Sequence, residues 1–130
     1  MLGFAVRCRM VAIDDSAEPE RSIPLPKAAM PKPVEEFRKS YPEVWKAFEH
    51  LGQQCHQAGP LDEKSRRLVK LALSVGAGLE GGTHSAVRNA LRAGVTRDEL
   101  NQVAVLAVTT LGVPAAIRGF TWISDMARGS

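Results

Sequence analysis

Beyond Pro33 the apolar residues of this chain recur at helical spacing, and no stretch alternates apolar and polar in the two-residue period of a strand. Val44, Ala47, Phe48 and Leu51 fall at i, i+3, i+4 and i+7, as do Leu68, Leu71, Ala72 and Val75 further on. Helix-end signals separate these runs. Pro42 disfavours helical geometry at Tyr41, so a short helix over "VEEFRKS" stops there, and Ser40 and Pro42 open the next one. Gly59-Pro60 ends that second helix, and Asp62 is placed to cap the third. Gly94 suits a left-handed cap closing the helix in "THSAVRNALRA". In "TRDE", Thr96 and Glu99 have the spacing of a capping box, and Pro114 stands in the first turn of a last helix. The pattern predicts an all-α domain of about six helices over residues 33–130.

Residues 1–32 differ in character. "DDSAEPERSIPLPKAAMPKP" has prolines too closely spaced for a helix to run through, which predicts an extended N-terminal arm or a disordered tail. The helix in "LNQVAVLAVTTLG" has the opposite character, being apolar nearly all round after Val103. A helix of that kind is central to a core or pressed against another subunit. The stretch Asn101 to Leu111 is therefore expected to bury its surplus apolar face between copies of the chain.

A length of 130 residues suits one domain with a modest core. The formal net charge is +3, but lysines and arginines are scattered, no run of five occurs, and aromatics are only 5%. A nucleic-acid groove would cluster its cations beside stacking rings, so that class of partner is disfavoured, while acidic small molecules remain compatible. No run approaches the roughly 20 apolar residues that span a bilayer, and "MLGFAV" is too short for a signal-peptide core. Cys8 and Cys55 lie far apart with no C-x-x-C between them, which fits reduced thiols in a cytoplasmic protein. Cys55, beside His56 with no resolving partner, reads as a small apolar filler.

From Leu61 to Ser124 the chain resembles the carboxymuconolactone decarboxylase and alkylhydroperoxidase D-like family. The resemblance is carried by "LDEKSRRLVKLALSVGAG" and by "HSAVRNALRAGVTRDELNQVAVLAVTTLGVPAAI". Its most recognisable piece is the turn from Ala90 to Glu99, followed by the apolar helix and "LG-x-PAA". The resemblance implies an all-helical domain assembled as a homo-oligomer, a trimer or a hexamer. Peroxidase-type members carry a C-x-x-C pair, a following histidine and an upstream glutamate. An ungapped count back from Gly94 places Leu79, Gly82, Ala86 and Arg67 at those four positions. Dithiol peroxidase chemistry therefore has no site here. A cysteine-free branch of the family carries a similar "EG-x-x-HS" run, with a second histidine where Ala86 stands in this chain. Decarboxylase members place their histidine at that same position. His84 would replace it from about 200° around the helix.

The residues of "GLEGGTHSAV" allow two accounts. In the first, Glu80 and His84 lie one turn apart on a helix face, the carboxylate orients the imidazole, and His84 acts as general base or acid. The N–H groups of a helix starting near Gly81 would attract a substrate carboxylate, and Gly81 and Gly82 would let it approach the backbone. Thr83 and Ser85 would add hydroxyls, and Arg88 a bidentate contact. The implied enzyme is decarboxylase-like, acts on a small carboxylate or carbonyl compound, and needs no cofactor or metal. In the second account Glu80 is an acid at a helix start, the glycines serve a tight turn, and His84 is a partly buried histidine bonded to Glu80. The chain is then a non-catalytic oligomer that keeps a ligand pocket. A metal site from Glu80, His84 and a histidine of another subunit is a weaker option, and His50 and His56 lack a ligand set. Thr109 and Thr110 either face a cavity or bond back to the preceding turn.

Overall fold

The computed structural model describes residues 30–128, and the expectation of an N-terminal arm falls mostly outside them. Those residues form six helices: α1 (Lys32–Ser40), α2 (Pro42–Gln57), α3 (Glu63–Gly76), α4 (Glu80–Arg92), α5 (Arg97–Leu111) and α6 (Val113–Ala127). No strand occurs among them. Helices α3 to α6 form a four-helix bundle in which α3 packs on α4 and α5, and α6 packs on those same two.

The helix ends follow local chemistry. Asp62 accepts the Ser65 N–H at 2.7 Å and caps α3. In α5 the capping box closes both ways: Glu99 N–H donates to Thr96 Oγ1 at 3.2 Å, and Thr96 N–H donates to Glu99 Oε2 at 2.7 Å. Gly94, at φ +84°, ends α4 with the Gly94 N–H on Leu91 O and the Val95 N–H on Ala90 O. Gly78, at φ +69°, ends α3 by the same pair of bonds, to Val75 O and Ser74 O. Ser40 closes α1 rather than opening α2, whose N-cap is Tyr41 with no side-chain bond.

The core is built of small side chains. Leu71, Val75, Val87, Ala90, Val95, Leu100, Ala104 and Ile123 form its buried cluster. Burying a leucine or isoleucine outright contributes about 1.5–3 kcal/mol, so Leu71, Leu100 and Ile123 carry much of the hydrophobic stabilisation. Gly119 brings α6 against α3, since a Cβ there would lie 2.7 Å from Val75 Cγ1.

Helix α2 departs from the sequence expectation. Its stripe has the spacing of a buried face, yet Val44 is 56%, Phe48 62% and Leu51 61% exposed, and neither α1 nor α2 buries any residue. The two pack on each other, with Phe37 and Tyr41 rings 5.3 Å apart, and Lys70 Nζ meets His56 Nε2 at 3.3 Å near the end of α2. Spacing along a helix records that an apolar face exists, not which element covers it.

Candidate functional site

Helix α4 begins at Glu80, one residue earlier than the sequence suggests, with Leu79 at its N-cap. The α3–α4 joint is therefore made by Gly78 in the left-handed conformation, and Gly81 and Gly82 lie inside the first turn with φ in the ordinary range. The account of those two glycines as turn-makers is corrected by this geometry. Gly82 instead permits close packing, because a Cβ there would meet Leu79 Cβ at 3.1 Å and Ser74 Oγ at 3.3 Å. Gly81 has open space where a side chain would stand.

Leu79 offers no side-chain cap, and Thr83 N–H, bonded to Leu79 O at 2.8 Å, is the first amide of α4 to find a helical carbonyl. The N–H groups of Glu80, Gly81 and Gly82 are thus left without helical partners at the positive end of the helix dipole. Thr83 and His84 follow immediately. Among the described residues, Thr83 is fully buried and its Oγ1 has no hydrogen-bond partner; His84 is half-buried and its Nε2 is equally buried and unpartnered. Leaving a buried donor or acceptor unpaired costs about 1–3 kcal/mol, so two on adjacent residues are a notable local expense.

Glu80 is exposed, and no hydrogen bond or ion pair joins it to His84 among the described residues. Helical spacing still sets Glu80, His84 and Arg88 along one face, while Thr83 shares the core-facing side with Val87 and Ala90. Ser85 and Arg88 are half-buried. Of the four positions that hold the family's peroxidase residues, Leu79 is the N-cap and Gly82 the packing glycine. Ala86 lies against the core cluster, and Arg67 Nε donates to Glu63 Oε1 at 2.8 Å. Cys55 is exposed on α2, and no cluster of three metal-capable side chains forms among the described residues.

One residue escaped the sequence reading. Arg118 of α6 reaches over the α3–α4 joint, so close that a Cβ at Gly78 would lie 3.5 Å from its guanidinium nitrogen. It stacks 5.3 Å from the Trp122 ring centroid and belongs to none of the ion pairs among the described residues. The i, i+4 spacing of Arg118 and Trp122 was the available signal, but only the fold sets them beside the start of α4.

A groove of about 440 Å³ opens between α3 and α5, away from these residues. Its lining is chiefly apolar, with Val69, Val103, Leu106 and Leu111, and Glu99, Gln102 and Thr110 are its polar members. Thr109 and Thr110 both donate back to Leu106 O, at 3.5 and 3.1 Å, and Thr110 also faces the groove. No residue singled out around His84 lines it.

Among the described residues, a four-helix bundle with an uncapped, polar helix start beside a glycine joint defines a class of small helical domains. Residues 42–125 match the carboxymuconolactone decarboxylase family, and the chain belongs to that family. It is similar to an uncharacterized protein of Methanocaldococcus jannaschii, 28% identical over 94 residues, which cover 72% of this chain and 88% of that protein. No solved structure gives a significant match. No described helix is long and apolar enough to cross a membrane.

Proposed function

We propose that this family member performs decarboxylase-like acid/base chemistry on a small carboxylate or carbonyl compound at the first turns of α4. The observation that carries this reading is that two neighbouring residues each hold a buried, unpartnered polar atom, Thr83 Oγ1 and His84 Nε2. Unpaired buried polar groups call for an explanation, and a ligand that supplies the missing partners is one. The open amides of Glu80, Gly81 and Gly82, with the hydroxyls of Thr83 and Ser85 and the guanidinium of Arg88, offer the donors that a carboxylate needs. Arg118, across the joint, adds a further cation to that end of the helix. In a decarboxylation, the bond to the departing CO₂ breaks and its electron pair passes into an adjacent carbonyl. The His84 imidazolium then delivers a proton to the resulting enolate. Glu80, one turn away on the same face, orients the ring when its side chain swings toward it, as catalytic contacts often tighten only on binding.

The test is CO₂ release from carboxymuconolactone and from a panel of small β-keto acids. The expected result is saturable turnover that falls at least about 100-fold in His84→Gln, the range for losing a general acid or base. Release that is unchanged in His84→Gln, or no release from any compound, would remove this reading.

A second reading is favoured by the separation of the groove from His84, and by Arg67 and Ala86 at positions where the family's catalytic groups would stand. In it the chain is a non-catalytic, ligand-binding or oligomeric member of the family. Neither reading includes thiol peroxidase activity. Hydroperoxide reduction with a dithiol should be at background, and turnover that disappears in Cys55→Ser would contradict both.

A further inference from the structure

An apolar groove and a basic helix face lie side by side on α3, and one stretch of the sequence carries the matching pair in the same order. The groove between α3 and α5 is chiefly apolar, and its residues Val69, Leu106 and Leu111 are 45%, 60% and 43% exposed. Arg66, Lys70 and Arg67 follow Val69 round α3 by about 60°, 100° and 160°. Glu63 is the one acid of that helix, and both arginines already share it. Lys70 belongs to none of the ion pairs among the described residues, and its Nζ meets the uncharged ring of His56. Burial, then the charges of Lys70 and Arg67, hold that imidazole below its ordinary value of 6.5. In the sequence, ten of residues 1–13 are apolar and none is acidic, whereas residues 14–20 hold Asp14, Asp15, Glu18 and Glu20 and no base. From this match we infer that residues 1–13 occupy the α3–α5 groove of their own chain, with residues 14–20 across the basic face of α3.

The groove's polar groups do not oppose an apolar occupant. Glu99 is held by Lys64 at 2.9 Å and by the Thr96 N–H, and Thr110 is bonded to Leu106 O. The reverse placement fails, because the carboxylates of residues 14–20 would be desolvated among aliphatic side chains while the nearby Lys64 is already taken. The connection is long enough. From Met30 to His56, which stands beside Lys70, α1 and α2 measure at most about 40 Å even if laid end to end. Residues 14–29 can span roughly 50 Å when extended. A tethered segment also needs little affinity of its own, since a linker holds it near its site at about millimolar effective concentration. The inference is independent of any chemistry at His84.

Two measurements on the full chain test it. The first keeps Cys8 in a Cys55→Ser background and adds one cysteine: Gln102→Cys or Thr110→Cys in the groove, or Val105→Cys on α5 outside it. Mild oxidation should join Cys8 to one of the groove cysteines within a single chain, read as a cross-linked peptide at single-chain mass. That bond should form at least about ten times faster than the one to Val105→Cys, which meets the segment by random collision alone. Equal rates at all three positions overturn the proposal, as does a disulfide found between chains and not within one. The second measurement uses Val6→Glu with Met10→Glu, which puts charges into the docked segment. This variant should bind an apolar fluorescent dye several-fold more strongly than the wild type, with its helical circular dichroism retained, because the groove is uncovered. Dye binding equal to that of the wild type overturns the proposal, as it would if a second copy covered the groove.

Discussion

Thr83 is the residue whose surroundings least resemble those of a well-folded interior. Its side chain is fully buried, and its hydroxyl has no hydrogen-bond partner among the described residues. For stability alone valine would serve better, because replacing an unpaired buried hydroxyl with a methyl group removes a desolvation penalty. Thr83→Val is therefore expected to raise the unfolding free energy by about 1 kcal/mol in urea titration. If the hydroxyl exists to meet a bound carboxylate, the same variant should raise KM while stability rises. Loss of stability would instead mean that the hydroxyl has a partner within the fold. The sequence already grouped Thr83 and His84 with their neighbours, since Glu80 and His84 stand one helical turn apart beside a helix start. What it did not convey was burial. Thr83 turns inward because it shares the helix face of Val87 and Ala90, which pack in the core.

At the scale of the element, the helix ends were the most legible part of the fold. Caps are chemistry between residues three or four apart, so Asp62, Gly94 and the Thr96–Glu99 box are readable without tertiary knowledge. Thr96→Ala is expected to cost about 1 kcal/mol, measured as a lowered urea midpoint with an unchanged slope. The same caps set an acid dependence. The Thr96 N–H, then Lys64, hold the Glu99 carboxyl below its ordinary value of 4.5, and the bonds from Ser65 hold Asp62 below 3.8. Groups with depressed folded values stabilise fully above the unfolded values and lose that contribution as pH falls through the folded ones. The thermal midpoint should therefore decline as pH falls below about 4.5, less steeply in Glu99→Gln. Other elements were legible in kind but not in placement. The stripe on α2 was recognised, yet its partner depends on where the chain turns after Gly59-Pro60. The Gly81-Gly82 pair drew the eye as a turn, whereas Gly78 makes it, because the end of α3 is decided by where its apolar face stops. Arg118 lies 40 positions from Gly78, and only the packing of α6 on α4 brings them together.

For the whole molecule, the balance between core and surface leads to one more prediction. Much of the fully packed interior is alanine and valine, which bury little area each, while leucines and phenylalanines such as Leu73, Phe48 and Leu106 stand in solvent. A chain that keeps its larger apolar groups outside gains much of its hydrophobic stabilisation only when something covers them. If the cover is another copy, unfolding and dissociation are coupled, and stability depends on concentration by mass action. Each tenfold increase in concentration then adds about 1.4 kcal/mol of stabilisation per association step. For assemblies of this size that corresponds to a rise of a few degrees in the melting temperature. Scanning calorimetry from about 5 to 500 µM should show this drift for the wild type. Phe48→Glu should melt lower and at one temperature throughout, because its transition no longer includes a dissociation step. A wild-type melting temperature independent of concentration would mean that the four-helix bundle is stable alone, and that its exposed leucines serve some purpose other than assembly.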